Sequence, residues 1–506
     1  MYCTSPDNGT ASRLSAPGVA SEPAPGFPTS SQFTRIAVVL LCYFGLRLLF
    51  LATRISPFIP PDETTHFGIS RLFSRALLLP VNSPESFQYG LVTNIPWLYY
   101  WVTGKLLWLN FLGISDLVFL RLLNIPLAFG LVYYAWRTLR LLTEDRLSQL
   151  LLLVAMTNTM MLTFLSSFVS YDNLANLLAA MSVYYLLAFF KERSATLLTA
   201  SLVCQLAGCL TKITFLPLVL VLTVLAVVHE LKNLPWLFAA LAAGARRPGG
   251  ALLTLALLLG LTLNLQLYAG NYAKYRALAP EATDVLPLES ALQNRIVARN
   301  YVLDQFKKGR VTKAQALEMT AQIKHEGDRG DAVFMIEKYA KFKNHELLFM
   351  GPGSYAPQWV ARMAAGIFGI FGHQALPAEG LLVAPFALLA ALSLAGMLLR
   401  WRPGDAEGLA GYLLVIALFY TLFLMYEVNY REYLDTGARY LAVQGRYLFP
   451  IIAPVYVLFS FYWMRLFAGR TPRLAVWGLA VAIFLLCDFP LFLARITPDW
   501  VTWPTN

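Results

Sequence analysis

The stretch AVVLLCYFGLRLLF, residues 37–50, carries a single charge, and the stretches ITFLPLVLVLTVLAVV (213–228) and ALLTLALLLGLTL (251–263) carry none. Similar runs recur along the chain. About 20 apolar residues cross the ~30 Å hydrocarbon core of a bilayer as a helix. These runs therefore define an all-α polytopic membrane protein. Composition agrees: 58% of the 506 residues are hydrophobic and 14% are charged, where an ordinary soluble domain has about 25% charged. Mean hydropathy is +0.57. A water-soluble enzyme, a β-barrel and a disordered scaffold are excluded.

The net charge of +11 and the pI of about 9.3 follow from Lys and Arg gathered in short cytoplasmic loops. No basic, aromatic-interleaved nucleic-acid module is present, so no nucleic-acid partner is expected. The basic clusters are Arg137/Arg140/Arg146, Lys191/Arg193, Lys232, Arg246/Arg247, Arg400/Arg402 and Arg465/Arg470/Arg473. Placing them inside predicts spans near 34–53, 116–137, 147–168, 172–190, 195–211, 213–231, 251–269, 378–399, 408–427, 446–464 and 474–494. The N-terminus is then inside and the C-terminus outside. The apolar stretch 91–113 would make a twelfth span, but it breaks this alternation. Its Lys105 and its Trp97, Tyr99, Tyr100 and Trp101 suit the headgroup layer, so it is read as a juxtamembrane helix along the outer leaflet.

Four regions follow. Residues 1–32, rich in Ser, Pro, Gly and Ala, read as a disordered cytoplasmic tail, and its Asn8-Gly9-Thr10 tripeptide is given no role. Residues 33–269 form an N-terminal transmembrane module, beginning with an uncleaved signal anchor and including a first external loop at 54–115. Residues 270–377 form a large extracytoplasmic loop, and 378–506 hold the C-terminal helices. Residues 271–346 hold 13 Lys or Arg and 10 Asp or Glu. With Val302, Phe306, Val311, Ala314 and Leu317 at helical spacing, the loop reads as partly helical. The five cysteines (Cys3, Cys42, Cys204, Cys209, Cys487) suggest neither a disulfide framework nor a zinc site.

Polar residues that bear chemistry sit at the predicted outer ends of the spans. Pro60-Pro61-Asp62-Glu63-Thr64-Thr65-His66-Phe67 follows the first helix, with Pro60-Pro61 read as its stop. Asp62 and His66, four apart, would share a helical face. Asp62 as an ordinary N-cap, with Glu63 favouring the helix's positive end, explains the carboxylates equally well. Ser170-Tyr171-Asp172-Asn173, Lys212 and Arg439-Tyr440-Leu441-Ala442-Val443-Gln444-Gly445-Arg446-Tyr447 lie at the same predicted face. Each charge alone is explained by snorkelling or an ion pair. Together they place carboxylates and cations on one side of the bilayer.

The carboxylates after helix one, the many spans and the large external loop resemble the GT-C superfamily of integral-membrane glycosyltransferases. The strings Pro-Pro-Asp-Glu-x-x-His-Phe (60–67) and Gln-Gly-Arg-Tyr-x-x-Pro (444–450) resemble a bacterial GT-C-like family that carries a domain of unknown function. That family usually has Pro-Ala where this chain has Thr64-Thr65. The resemblance covers roughly residues 34–495, and Arg121 in Leu120-Arg121-Leu122-Leu123-Asn124 is similar to the Arg that opens an early helix in many GT-C enzymes. It implies a GT-C-like bundle of about 11–12 helices in a bacterial cytoplasmic (inner) membrane, with the active site outside. It also implies transfer of a sugar from a polyprenyl-phosphate carrier to an extracytoplasmic glycan, lipid or protein.

In that frame Asp62 is the general base, and Lys212, Arg446, Arg121 and Arg439 hold the donor phosphate. His66, Tyr171, Asp172, Asn173, Gln444 and Tyr447 meet the sugar or acceptor. Glu63 is a second catalytic carboxylate, and with Asp62 it is the candidate pair for a divalent cation, Mg or Mn, although no closed ligand set is visible. His229, His325, His345 and His373 receive no role. A transporter or flippase of a lipid-linked sugar and a non-catalytic envelope assembly factor on the same scaffold stay open. The spans are mostly clean Leu/Ala/Val and the polar groups cluster at one face, which favours the enzyme, because a transporter needs polar sites near the midplane.

Overall fold

The computed structural model describes residues 28–502 except 112, 234, 236–238, 240–247, 372–373, 376–378 and 403. The expectations for residues 1–27, including Cys3 and the Asn8 tripeptide, for Arg246 and Arg247, and for His373 lie outside the described residues. Among the described residues, nine helices are long and apolar enough to cross a membrane, and two shorter apolar helices, Arg146–Thr157 and Ala195–Thr211, accompany them. Each of the eleven expected spans has a helix in its place. Paired strands among these residues are limited to Ile370–Phe371 with Gln374–Ala375. The chain is an all-α, multi-pass membrane protein.

Helix α1 (Ser30–Arg54) opens on a capping box between Thr29 and Gln32, which satisfies two orphan donors reciprocally. It ends at Arg54, six residues before Pro60. The expectation that Pro60-Pro61 stops it is corrected: Ser56 N donates to Trp500 O at 2.9 Å and Thr502 N to Arg54 O at 2.8 Å. The C-terminal segment takes over the groups at the helix end, while the prolines shape the turn before the next helix.

The segment between the first and second long spans, expected as the first external loop, contains α2 (Glu63–Arg75) and α3 (Leu98–Leu106). Nine helical residues rise only about 14 Å, too short to cross the hydrocarbon core. Lys105 donates to the carbonyls of Phe73 (3.1 Å) and Ala76, and Trp108 Nε1 to Ser74 O at 2.8 Å, which ties α3 to α2. Phe58, Leu77, Leu78, Val81, Trp108 and Leu109 are exposed along this loop, an apolar rim suited to lipid contact.

Helix α4 (Asp116–Leu142) then leads to α5 (Arg146–Thr157) and α6 (Met160–Leu165). The single span expected at 147–168 is broken at Asn158 and Thr159. The carbonyl of Thr157 turns to accept from Arg47 Nη2 at 2.5 Å and from Thr163 Oγ1 at 3.1 Å. Arg47 also pairs with buried Asp488, near the end of the chain. The spans, read as mostly clean Leu/Ala/Val, thus hold a buried charge pair here. Two opposite charges satisfy each other inside the bundle, so neither lowers the hydropathy of its own segment enough to be noticed.

Helices α7 (Tyr171–Glu192), α8 (Ala195–Thr211) and α9 (Leu216–Glu230) follow. Helix α7 packs on α4 and α8 and is largely buried, as is the later span Gly445–Leu466. These two central elements carry Asp172 and Arg446 at their N-terminal ends. The charged insertion folds three helices, Arg295–Lys307, Lys313–Thr320 and Glu326–Lys343, around Val302, Phe306, Ala316, Met335 and Ile336. Val311 and Leu317 pack against this core as their spacing predicts. Ala314 is exposed and Ala316 fills the core position instead.

Candidate active site

Asp62 occupies the N-cap position of α2, but its side chain makes no cap hydrogen bond and its φ is +57°. Left-handed backbone is uncommon outside Gly and is tolerated best by Asn and Asp. It turns the carboxylate away from its own helix, while the Asp62 carbonyl still accepts from His66 N at 3.0 Å. The ordinary capping role is thus not the one taken. The carboxylate meets Arg446 Nη2 at 2.5 Å, 384 residues away in the chain. Arg446 Nε donates to Gln444 Oε1 at 2.7 Å, and its Nη1 lies 3.7 Å from Asp172 Oδ2. Lys212 pairs with the other Asp172 oxygen.

Four charges from four places in the chain thus form one network. Asp172, Lys212 and Arg446 are 2–4% exposed, and only Asp62, at 46%, faces open space. Local structure explains the placement. Ser170 caps α7, its side chain accepting from Asp172 N at 3.2 Å, and sets Asp172 in the first turn. Lys212 is the extended residue that ends α8. Arg446 lies in the 3₁₀ turn Gly445–Ile451, pressed against the helix Pro352–Phe368. A Cβ on Gly445 would lie 2.4 Å from Gly366 C, and one on Gly366 would lie 2.6 Å from Gly445 N. Only two facing glycines allow that crossing.

Aromatic groups line the network. Lys212 Nζ lies 5.1 Å from the Tyr171 ring centre and 5.0 Å from that of Tyr447, within cation–π range. The His66 ring meets Tyr171 edge-on at 4.5 Å, and its Nδ1 is 2.8 Å from the Tyr100 hydroxyl. Burial drives the His66 pKa down to about 4, with Asp62 and Asp172 opposing the shift. His66 is therefore neutral near pH 7. The Tyr100 hydroxyl donates to Nδ1 or accepts from it according to the tautomer of the ring. Tyr100, Thr65 and Tyr89 also line the space beside Asp62 and were not singled out from sequence. Tyr100 stood among interfacial aromatics, and nothing local distinguished it.

Glu63 and Arg121 are placed elsewhere. Arg121 grips Glu63 with Nε to Oε1 at 2.8 Å and Nη2 to Oε2 at 2.5 Å. Its Nη1 donates to the carbonyls of Ala52 (3.1 Å) and Ile55 (2.7 Å) at the end of α1. Val169 N adds a bond to Glu63 Oε1 at 3.0 Å. This buried clasp joins α1, α2, α4 and the segment before α7. Both Glu63 oxygens are engaged, so Asp62 and Glu63 do not converge on a common cation position. Among the described residues, no three His, Cys, Asp or Glu side chains are grouped as metal ligands. The residues present do not fit a two-carboxylate metal site.

Asn173 is buried and donates to Asn124 Oδ1 (3.1 Å), Leu165 O (3.1 Å) and Phe168 O (2.9 Å), tying α6 to α7. Arg439 is exposed and donates to Gln358 at 3.3 Å. The structure therefore brings together Asp62, His66, Tyr171, Asp172, Lys212, Gln444, Arg446 and Tyr447. Glu63, Arg121, Asn173 and Arg439 have other partners.

A cavity of about 900 Å³ opens from Asp62, His66 and Tyr171 toward residues 289–302 and 319–325 of the insertion. This is near the top of the roughly 300–1,000 Å³ range of small-molecule pockets.

No family model matches the chain, and no curated protein matches it. Among solved structures the chain is similar to the archaeal oligosaccharyltransferase AglB from Archaeoglobus fulgidus, in complex with an inhibitory peptide and a dolichol-phosphate. That match has 12% identity and a TM-score of 0.45, and covers 93% of this chain and 56% of the other. The chain thus spans little more than half the length of that protein. It is also similar to ArnT from Cupriavidus metallidurans, in the apo state (14% identity, TM-score 0.36, 85% of this chain and 77% of the other) and bound to undecaprenyl phosphate (13%, 0.35, 85% and 78%).

Proposed function

We propose that this protein is a membrane glycosyltransferase that moves a sugar from a polyprenyl-phosphate donor to an extracytoplasmic hydroxyl acceptor. The observation that carries the reading is the network itself: one half-exposed carboxylate, Asp62, beside two buried cations, Lys212 and Arg446, at one end of the bundle. Phosphate displacement at an anomeric carbon needs that combination, a base for the attacking hydroxyl and cations for the leaving phosphate.

In the resting network Asp62 and Asp172 balance Lys212 and Arg446. A donor phosphate takes a share of Arg446 and Lys212, and the N-terminal ends of α7 and of the Gly445–Leu466 span add favourable dipoles. Arg446 loosens from Asp62, whose carboxylate then accepts the acceptor proton. The acceptor oxygen bonds to the anomeric carbon as the carbon–phosphate-oxygen bond breaks, and its electrons leave on the lipid phosphate. A single displacement of this kind inverts the anomeric centre. Neutral His66 and Tyr171 contact the sugar or acceptor hydroxyls, Gln444 steadies Arg446, and Tyr447 shields Lys212. The basic loops support an orientation with this face on the outer side of the membrane, which we take to be a bacterial cytoplasmic membrane.

The test is transfer by the purified protein from a panel of polyprenyl-phosphate sugars, with Asp62→Asn alongside. The variant keeps size and hydrogen bonding and should lose turnover by about 10²-fold or more. Near-normal turnover in Asp62→Asn would overturn the assignment.

A further inference from the structure

The cavity beside Asp62 is built from two parts of the chain. Residues of the first external loop form the wall near the network, and the insertion forms the opposite wall. Amides and tyrosines recur among its polar side chains, with Glu289, Arg295, Lys324 and His325 beside them. Gln88 and Tyr89 stand on the loop side; Gln293, Gln322, Tyr301 and Lys324 stand on the insertion. Amide groups both donate and accept hydrogen bonds, as sugar hydroxyls do, and tyrosine combines an apolar ring with a polar tip, matching the two faces of a pyranose.

The insertion wall carries Arg295, Lys324 and the carboxylate of Glu289. Arg295 donates to Asp328 at 2.7 Å and Lys324 donates to Gln293 at 3.1 Å. Asp328 and Glu289 balance Arg295 and Lys324 in number, so this wall gathers no excess of cations for a phosphate, unlike the Lys212/Arg446 end. Both walls are made of helices and turns, with no strand edge to which an extended peptide could add by backbone pairing. Aliphatic side chains (Leu91, Ile95, Ile296, Val302 and Ile323) alternate with the polar groups along the walls, as apolar ring faces alternate with hydroxyls along a carbohydrate chain. The volume exceeds what one donor sugar beside Asp62 requires.

We infer that this cavity is the acceptor site and that it takes a carbohydrate chain, held between the loop amides and tyrosines and those of the insertion. The inference rests on the transferase reading only for the direction of the chain, whose reactive hydroxyl points at Asp62. Binding itself needs no turnover.

The experiment uses full-length protein in lipid nanodiscs, labelled and applied to an array of bacterial and other glycans and, in parallel, to an array of unmodified peptides. Retention on a subset of glycans is expected, and Gln322→Ala with Tyr301→Ala should weaken it at least tenfold. Gln88→Ala, on the opposite wall, provides an independent variant if the insertion pair fails to fold, and should also weaken retention. Asp62→Asn should keep glycan binding while losing transfer. Retention on peptides instead, or on neither array, overturns the inference, as does glycan binding indifferent to the substitutions on both walls. Glycan binding that behaves as expected in a protein whose Asp62→Asn form still transfers would sink the catalytic assignment and leave this inference standing.

Discussion

Asp62 and Glu63 are adjacent, yet their removal should produce opposite phenotypes. Glu63 has no exposed side-chain surface and accepts two bonds from Arg121, whose own side chain is 2% exposed. Glu63→Gln leaves that guanidinium buried without a counterion. Removing one partner of such a pair costs about 3–5 kcal/mol. The glutamine carbonyl still accepts one bond, which points to the lower end, about 3 kcal/mol. At about 1.4 kcal/mol per factor of ten, that is some two powers of ten in the unfolding equilibrium. Asp62 is half-exposed, and its partner Arg446, though buried, keeps Asp172 as a counterion at 3.7 Å, so losing this pair costs less, about 1 kcal/mol. Asp62→Asn should therefore unfold close to wild type and be inactive, whereas Glu63→Gln should unfold early and keep activity while folded. Denaturant titration of the purified variants in bicelles, followed by tryptophan fluorescence, measures the first quantity. Transfer assayed well below the unfolding midpoint measures the second. A Glu63→Gln protein as stable as wild type but inactive would refute the clasp and return Glu63 to the chemistry.

Arg446→Lys loses the planar fork that spans Asp62 and Gln444; with about 1.5–3 kcal/mol per charge-assisted hydrogen bond, kcat/KM for the lipid donor should fall roughly 10- to 150-fold. Lys212→Ala should act in the same direction, and unchanged donor kinetics in both would make these residues interfacial anchors. Gly445→Ala forces a Cβ to within 2.4 Å of Gly366 C, an overpacking that typically costs about 1–3 kcal/mol; it should reduce activity by moving Arg446, and a fully active variant would show that the crossing has slack. Cysteines placed near Ser115 and near Ser170 should both react with an impermeant thiol reagent added from outside. Labelling near Ser115 only from the cytoplasmic side would reject the orientation.

Membrane class and the positions of the spans were legible in sequence because hydropathy is local and additive: each run is read without reference to any other. The polar islands at the span ends were legible for the same reason, since a charge at a membrane boundary stands out against its apolar neighbours. The broken α5–α6 segment was not, because the break depends on Arg47, 110 residues away, donating to the Thr157 carbonyl. The Arg47–Asp488 pair escaped notice because each charge sits alone in an apolar run and is compensated only in three dimensions. Two neighbouring carboxylates look equivalent in a string of letters. They separate because residue 62 adopts a left-handed backbone that aims one at Arg446, while the helix that starts at residue 63 aims the other at Arg121. The chain order of Arg121, Lys212, Arg439 and Arg446 carries no information about which cation reaches which carboxylate. That choice is made by how closely the helices pack, down to two facing glycines at 366 and 445, and packing is a property of the folded bundle as a whole.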